Sequence, residues 1–409
     1  MTTPRLRFPE FDGPYSRLSF EDLFNFSSGK NIKQDEAAPN LRTPCVRYGE
    51  LYHLYSEVIT EVVNRTDLPP ENLVFSEGNE ILLPSAGEDP MDIGSASALT
   101  VKNVAIGRTI NILKPKTEGV CSPIYVSYYI NHVLRKPISK LARGVSISNV
   151  YNSDLKRLFL DCPTFPEQKK IATFLGAVDA KVVALRSKVS GLETYKRGLM
   201  QALFSQRLRF SKPDGTAFPD WRIQKLHSVL RVKGIRNTDG LYSKEDVLSV
   251  SGEFGIVNQI EHLGRSYAGV SVDNYHVVET GDIVYTKSPL KSNPFGIIKA
   301  NRGNPGIVST LYAVYEVRDG YSFDYLDRYF ELDSNTNKYL APLVHKGAKN
   351  DMKINNDRVL IGSISIPSFE EQQKIASALA NLDAKIRAVR LQIAQIETYK
   401  KGLLEQMFV

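Results

Sequence analysis

The chain has 409 residues, of which 42% are hydrophobic, 24% charged and 10% aromatic. This composition predicts a globular protein of two or three domains and excludes a disordered, collagen-like or entirely coiled-coil chain. Lys and Arg outnumber Asp and Glu by 52 to 45, so the net charge of +7 permits a polyanionic partner without requiring one.

The cysteines give a first indication of the compartment. Cys45, Cys121 and Cys162 are odd in number and far apart, which argues against a disulfide framework and against a Cys-x-x-Cys zinc site. The sequence shows neither a signal peptide nor an apolar run long enough to span a membrane. We therefore expect a cytoplasmic protein without membrane contact.

Residues 1–164 are predicted to form a first globular domain. Short apolar runs at 72–75 and 103–106, bounded by Gly, Pro and Asn, predict strands, and residues 125–135 predict a helix. This mixture indicates an α+β domain with a sheet-rich core.

Residues 165–209 are predicted to form a long helical segment. Its apolar residues follow a 4-3 spacing, which is the period of a coiled coil. The positions expected to face a partner helix are Ile171, Leu175, Val178, Val182, Leu185, Val189 and Leu192.

Residues 210–368 and 369–409 repeat this organisation. Strand-like runs at 282–285 and 311–315 and a helix at 323–333 predict a second α+β domain. Ser368 is a suitable N-cap for the second long helix. That helix has its own 4-3 stripe, formed by Ile375, Leu379, Leu382, Ile386, Val389, Ile393 and Ile396.

The two halves are copies of one unit. Residues 165–204 align without a gap on residues 369–408, at an offset of 204 positions, with 19 of 40 residues identical. Two equal apolar stripes in one chain can cover each other, most simply as an antiparallel coiled coil with a globular domain near each end. Lys196 and Lys400 occupy equivalent polar positions in the stripes, where a polar residue commonly fixes register. A helix from 167 to 204 would be about 57 Å long.

Basic and small polar residues recur in loops at similar places in both globular domains. Arg, Lys, Asn and Ser read base edges or hold phosphates, so the recurrence favours DNA binding over solvated loops. The candidates in the first domain are Lys30, Arg47, Tyr48, Arg108, Arg143 and Ser146. Those in the second are Lys233, Arg236, Ser251, Lys287, Lys291, Lys346 and Lys349.

No catalytic residue or metal ligand is predicted. The run 293–296, Asn-Pro-Phe-Gly, lacks the second Pro of the methyltransferase motif that clamps an extruded base. The chain contains no Gly-x-x-x-x-Gly-Lys-Ser/Thr phosphate loop, and its six histidines have no metal-ligand spacing.

The helical segments carry a family resemblance. Each begins with Glu-Gln-x-Lys-Ile-Ala, at 167–172 and 371–376, and each contains Glu-Thr-Tyr-Lys, at 193–196 and 397–400. Two variable domains alternating with such helices resemble the specificity subunit of type I restriction-modification enzymes, over almost the whole chain. The opening Pro4-Arg5-Leu6-Arg7-Phe8-Pro9 is also similar to that family.

The resemblance implies a non-catalytic subunit whose two target recognition domains each bind one half of a bipartite, asymmetric double-stranded DNA sequence. It implies that the paired helices set the spacer and dock modification (methyltransferase) subunits, and that a restriction subunit completes the enzyme. It also implies that S-adenosylmethionine and ATP bind to those partners and that this chain has no cofactor. Two alternatives stay open: a helical scaffold that binds proteins, and a specificity chain for a single-polypeptide restriction-methylation enzyme.

Overall fold

The computed structural model describes residues 4–144, 146–290, 292–344, 352 and 354–408. The chain forms two compact units, Met1–Arg186 with Leu391–Val409 (unit 1) and Ser187–Arg390 (unit 2). Each unit therefore contains one half of each long helix together with its own globular part.

Unit 1 has a five-stranded sheet in the order β2-β11-β7-β9-β4, a four-stranded sheet in the order β5-β3-β10-β6, and the pairs β1-β13 and β12-β8. The strands are β1 (Ser16–Ser19), β2 (Phe24–Ser28), β3 (Thr43–Val46), β4 (Val58–Ile59), β5 (Arg65–Thr66), β6 (Phe75–Glu77), β7 (Glu80–Pro84), β8 (Ala86–Gly87), β9 (Ser97–Leu99), β10 (Lys102–Ile106), β11 (Ile110–Pro115), β12 (Ser148–Asn149) and β13 (Phe159–Cys162).

The helices that begin in unit 1 are mostly short, apart from the last. They are α1 (Phe20–Leu23), α2 (Glu50–His53), α3 (Pro90–Ile93), α4 (Pro123–Tyr129), α5 (Arg135–Leu141), α6 (Asn152–Leu155) and α7 (Phe165–Phe204). A π-helical turn, Ile130–Leu134, joins α4 to α5. Ser122 caps α4 by accepting a hydrogen bond from the Tyr125 amide.

Unit 2 has a four-stranded sheet in the order β15-β22-β19-β20 and the pairs β14-β23, β16-β17 and β18-β21. Its strands are β14 (Arg222–Lys225), β15 (Leu230–Val232), β16 (Leu248–Ser251), β17 (Gly255–Asn258), β18 (His276–Val278), β19 (Ile283–Thr286), β20 (Ile298–Ala300), β21 (Gly306–Val308), β22 (Tyr312–Val317) and β23 (Ser363–Ile366). Its helices are α8 (Gln259–Leu263), α9 (Phe323–Glu331), α10 (Asp333–Leu340), α11 (Asn356–Val359) and α12 (Phe369–Met407).

The long helices run antiparallel within each unit. In unit 1, Arg186 of α7 pairs with Glu397 of α12, whereas Asp179, earlier on α7, pairs with Lys400, later on α12. Because the numbers rise on one helix as they fall on the other, the helices point in opposite directions. The predicted α+β class with antiparallel long helices is confirmed.

Aromatic residues attach each helix end to the globular core of its unit. The Phe408 ring lies 5.4 Å from Tyr125 and 5.9 Å from Tyr129, measured between ring centroids, in unit 1. In unit 2, Phe204 lies 5.8 Å from Tyr325. Phe204 and Phe408 are equivalent in the repeat, so the same aromatic contact closes both units.

The stripe residues divide between the units in the same way. Ile171 and Leu175 of α7 are buried in one cluster with Leu403 and Met407 of α12 in unit 1. Conversely, Ile375 and Leu379 of α12 are buried with Met200 and Leu203 of α7 in unit 2. All the predicted stripe positions are buried or half-buried. Their assignment to helix pairing as a site stays a prediction.

A buried glutamate fixes the start of each long helix. Glu167, fully buried, accepts two hydrogen bonds of 2.7 Å from Arg7. Glu371, also fully buried, accepts hydrogen bonds from Arg209 (2.9 Å) and the Trp221 indole (3.1 Å). These three partners come from the segments that precede β1 and β14, so each carboxylate fastens the start of a domain to its helix.

The neighbouring glutamines complete this helix entry. The Gln168 side chain accepts a 2.9 Å hydrogen bond from the Ser122 amide and donates one to the Pro163 carbonyl. The Gln372 side chain accepts a 2.9 Å hydrogen bond from the Ser322 amide and donates one to the Pro367 carbonyl. The repeated Glu-Gln pair thus holds both the amino end of α4 or α9 and the chain entering the long helix.

Several local predictions can be compared with the structure. The predicted strands at 103–106, 282–285 and 311–315 correspond to β10, β19 and β22, and the helices at 125–135 and 323–333 are present. The strand predicted at 72–75 is wrong except at Phe75, where β6 begins, because Pro70–Asn72 forms a 3-10 turn. Pro69 and Pro70 restrict φ and favour that turn. The domain boundaries 164/165, 209/210 and 368/369 stay a prediction. In the described part of the chain, no helix is long and apolar enough to cross a membrane.

Glu371→Gln tests the helix entry. The substitution keeps the shape of the side chain but removes the charge that pairs with Arg209, so we expect unit 2 to lose about 3 kcal/mol of stability. Urea unfolding of the full chain measures this loss. The exposed neighbour Glu370 provides the control, because Glu370→Gln should change stability by less than about 0.5 kcal/mol. Equal effects of the two substitutions would contradict the role of Glu371.

Candidate nucleic-acid interface and helix lock

A half-buried lysine joins three elements in unit 1. The Lys400 ammonium on α12 lies 2.7 Å from an Asp179 carboxylate oxygen on α7 and 3.0 Å from a carboxylate oxygen of Glu57, the residue directly before β4. The Tyr128 hydroxyl donates to Asp179. Burial opposes the charged ammonium, but Glu57 and Asp179 outweigh that cost and raise the pKa of Lys400 above its ordinary value.

Unit 2 contains an equivalent group of charged side chains. Lys196 on α7 lies 2.7 Å from Asp383 on α12 and 2.5 Å from Glu331 at the end of α9. Arg328 adds a second cation, 2.6 Å from Asp383 and 2.8 Å from Glu331. Burial opposes ionisation of Glu331, yet Lys196 and Arg328 hold the pKa of this carboxyl below its ordinary value.

We call Lys400 with Asp179 and Glu57, and Lys196 with Asp383 and Glu331, the helix locks of unit 1 and unit 2. Each lock ties both long helices to the globular part of the same unit. A half-buried lysine that lost its carboxylates would carry an unpaired charge, which costs folding free energy. The helix register that brings these charges together is therefore favoured over neighbouring registers.

The predicted loop cations of unit 1 fall into two groups. Lys30 and Arg108 are exposed, and no described carboxylate lies within ion-pair distance of either. Arg47 instead pairs with the buried Glu50 at 2.7 Å, and Arg143 pairs with the buried Asp154 at 2.8 Å. The charges of Lys30 and Arg108 are therefore available to an anionic ligand, whereas those of Arg47 and Arg143 are already compensated.

The other two candidates of unit 1 are exposed polar residues. Tyr48 is 40% exposed, and its ring lies 6.4 Å from Tyr52. Ser146 is exposed in the loop before β12. Neither residue is brought next to the other candidates by a contact that the structure records.

Lys233 of unit 2 is not available as a surface cation. Its ammonium is buried and lies 2.6 Å from an Asp282 carboxylate oxygen. Burial raises the pKa of Asp282 above its ordinary value, although the Lys233 hydrogen bond works in the opposite direction. Since this pair supports the interior of unit 2, we leave Lys233 out of the proposed interface.

Arg236 is the predicted cation that lies beside His276. It faces His276 across an isolated β-bridge. Burial lowers the pKa of His276, and the charges of Arg236 and Lys287 lower it further. Burial also lowers the pKa of Lys287. An anionic ligand would relieve the mutual repulsion of these groups.

The remaining predicted residues of unit 2 add little to this group. The Ser251 hydroxyl accepts hydrogen bonds from the amides of Glu253 (3.3 Å) and Phe254 (3.2 Å), so it supports the β16-β17 turn. Lys291, Lys346 and Lys349 lie outside the described residues. Across the residues that are described, no group of three or more His, Cys, Asp or Glu side chains is arranged to hold a metal ion.

Comparison with known proteins identifies the family. Residues 16–190 match the type I restriction modification DNA specificity domain. The putative type I restriction enzyme MjaX specificity subunit of Methanocaldococcus jannaschii is 26% identical over 320 residues, which cover 73% of this chain and 70% of the relative. Residues 16–190 of this chain thus match a type I restriction-modification DNA specificity domain, and the chain is similar to a type I specificity subunit over most of its length.

Two further similarities extend along most of this chain. The type I restriction enzyme StySPI specificity subunit of Salmonella potsdam is 21% identical over 406 residues, covering 92% of this chain and 82% of the relative. The crystal structure of a type I restriction-modification S subunit from M. genitalium shares 15% identity at a TM-score of 0.60, covering 100% and 99% of the two chains. The latter similarity concerns the fold.

The sequence predicted only part of the helix locks. Asp179 and Asp383 were visible in the repeated Asp-Ala-Lys, and Lys196 and Lys400 in the repeated Glu-Thr-Tyr-Lys. Glu57 and Glu331, in contrast, are not equivalent in the repeat. No local pattern marks Glu57, which meets Lys400 across 343 positions.

Lys400→Met tests the helix lock of unit 1. The change leaves the Glu57 and Asp179 carboxylates facing each other without a cation, so we expect a loss of about 3 kcal/mol of stability. Lys401, the next residue, is 76% exposed and pairs only weakly with Glu405, at 3.9 Å. Lys401→Met should therefore cost less than about 0.5 kcal/mol.

Urea unfolding of both variants measures the difference. Adding Asp179→Asn to Lys400→Met should recover part of the loss, because it removes one unpaired charge. A Lys400→Met variant as stable as Lys401→Met would contradict the lock.

Proposed function

We propose that this specificity subunit recognises double-stranded DNA without catalysing a reaction, and that each unit reads one half of a bipartite, asymmetric target. The observation that carries the proposal is the duplication itself. Both units fasten the long helices with the same Glu-Gln entry and the same lysine lock, whereas their loops have different residues. Equal frames with unequal loops suit the reading of two unlike half-sites.

The charges support a polyanionic partner. The net charge is only +7, and many cations are compensated by carboxylates within their own unit, as Arg47, Arg143 and Lys233 are. Lys30 and Arg108, in adjoining loops, are instead exposed and have no carboxylate partner among the described residues. Such local patches suit a protein that contacts DNA over limited areas.

The partners complete the proposed enzyme. The long helices set the gap between the half-sites and bind the modification (methyltransferase) subunits, and a restriction subunit joins them. S-adenosylmethionine and ATP bind to those subunits, and this chain supplies the target sequence. Its loop residues contact bases and phosphates and carry out no bond-making step.

Co-expression of this chain with its modification subunit tests this function. We expect methylome sequencing to show adenine methylation at one split, asymmetric motif that is absent from cells without the specificity subunit. Absence of a new split motif, together with no sequence preference of the purified complex in DNA binding, would contradict the proposal and favour the protein-binding scaffold.

A helix insertion tests whether the long helices set the gap between the half-sites. One heptad inserted between Arg186 and Ser187 and one between Arg390 and Leu391 lengthen both helices equally and almost preserve their faces. The added length is about 10.5 Å, so the gap in the methylated motif should grow by about three base pairs at 3.4 Å each.

The motif halves themselves should stay unchanged, since neither globular part is altered. A methylated motif with the original gap would show that the helices do not set the spacing. Substitution of seven existing helix residues by the inserted sequence, without a change of length, is the matched control.

A further inference from the structure

In unit 1, a segment containing Lys30 passes from the five-stranded sheet to the four-stranded sheet directly after β2. The Gly29 amide donates to the Ile110 carbonyl at 3.0 Å and so continues the pairing with β11. The next amide, that of Lys30, donates to the Ile106 carbonyl of β10, also at 3.0 Å. Residues 29–32 thus bridge the two sheets, and we call them the crossing segment of unit 1.

Unit 2 has an equivalent crossing segment, residues 233–237, directly after β15. The Lys233 amide donates to the Val314 carbonyl of β22 at 2.9 Å. The Ile235 carbonyl then accepts from the Val277 amide of β18 at 3.0 Å, and the Asn237 amide donates to the Tyr275 carbonyl at 3.0 Å. The backbone path is therefore repeated, although the residues are different.

The crossing segment of unit 1 is held in an unusual conformation. Asn31 and Ile32 have φ values of 53° and 54°, and Thr109 in the adjoining loop has 66°. Non-glycine residues in this region are strained, and such strain often marks a functional site. Ile32 is buried and anchors the segment.

Hydrogen bonds join the crossing segment of unit 1 to the loop between β10 and β11. The Arg108 amide donates to the Asn31 carbonyl at 2.8 Å, and the Asn31 side chain donates to the Asn72 carbonyl at 2.5 Å. A methyl group on Gly29 would collide with the Gly107 carbonyl oxygen, so the loops approach as closely as glycine permits. Lys30 and Arg108 are thereby presented from a common, preorganised backbone.

Each crossing segment presents one cation that has no carboxylate partner among the described residues, Lys30 in unit 1 and Arg236 in unit 2. A neighbouring loop presents a second such cation, Arg108 after β10 in unit 1 and Lys287 after β19 in unit 2. Arg236 faces His276 across an isolated bridge and donates a 3.4 Å hydrogen bond to the Asn274 side chain. Lys287 follows a strand of the sheet from which the crossing segment leaves. An anion would supply the compensating charge that these cations lack.

We propose that the crossing segment of each unit, with its neighbouring cation, contacts the phosphate backbone of the DNA half-site that this unit reads. The inference rests on the proposed function and assigns the phosphate contacts to Lys30 and Arg108 in unit 1 and to Arg236 and Lys287 in unit 2. Contacts from a rigid backbone position the unit, and sequence is then read by other loop residues.

The test compares charge-removing variants in the assembled complex with the modification subunits. The variants are Lys30→Ala with Arg108→Ala, and Arg236→Ala with Lys287→Ala. The control is Lys136→Ala with Lys140→Ala, which removes two exposed charges from α5 of unit 1. Binding is measured by fluorescence anisotropy at several salt concentrations, on the duplex containing the methylated motif and on a scrambled duplex.

The slope of log affinity against log salt is negative for a DNA-binding protein. Each crossing-segment variant should make it less steep by about two, one for each lost phosphate contact. The loss of affinity should be equal on both duplexes, and the control should keep the wild-type slope. An unchanged slope in the crossing-segment variants would overturn the inference, as would a relaxed preference at one base pair, which indicates a base contact.

The two proposals fail in different ways. If the wild-type complex shows no preference between the duplexes, the proposed function fails. If it prefers the motif and the variants retain its salt dependence, only the assignment of the crossing segments fails. Circular dichroism and urea unfolding of the variants verify that the fold is intact before binding is compared.

Discussion

The rest of the structure depends on covering the apolar stripe of two long helices. A 40-residue helix and a 39-residue helix with such stripes cannot remain solvated, because each buried aliphatic side chain is worth about 1.5–3 kcal/mol. Within each unit, the stripe of one helix packs on the end of the other, and aromatic residues of the globular core close the contact. The antiparallel direction follows, since the carboxyl-terminal end of one helix meets the amino-terminal end of the other in each unit.

Apolar packing alone does not fix the register of the two helices. The ion pairs of Lys196 with Asp383 and of Lys400 with Asp179 do. A stripe of similar aliphatic residues tolerates a shift by one heptad, whereas Lys400 and Lys196 find their carboxylates in one register only. The same lysines bond to the globular part through Glu57 and Glu331. The same group of charges therefore fixes the helix pair and attaches the globular part of the unit to it.

The loops are subject to a different constraint. Where a cation has a buried carboxylate beside it, as Lys233 has Asp282, its charge serves the fold. Where it has none, as at Lys30 and Arg108, its charge is available to a ligand. An uncompensated cation occurs in the crossing segment of both units, as Lys30 in unit 1 and Arg236 in unit 2. The residues differ while the backbone path is the same, which supports a shared role for this segment.

The sequence by itself determined the duplication, the long helices, the α+β class and the family, because periodicity and repeated motifs such as Glu-Gln-x-Lys-Ile-Ala are local patterns. It also marked Lys196 and Lys400 as special positions in the stripes. Only the tertiary structure decided which charges are compensated: Glu57 meets Lys400 across 343 positions, and Lys233 finds Asp282 across 49. Such partners are chosen by the three-dimensional packing of distant segments, which no local spacing encodes. For the same reason, the cations among the candidate loop residues that the structure describes separated only after folding into the buried Lys233, the compensated Arg47 and Arg143, and exposed cations such as Lys30 and Arg108.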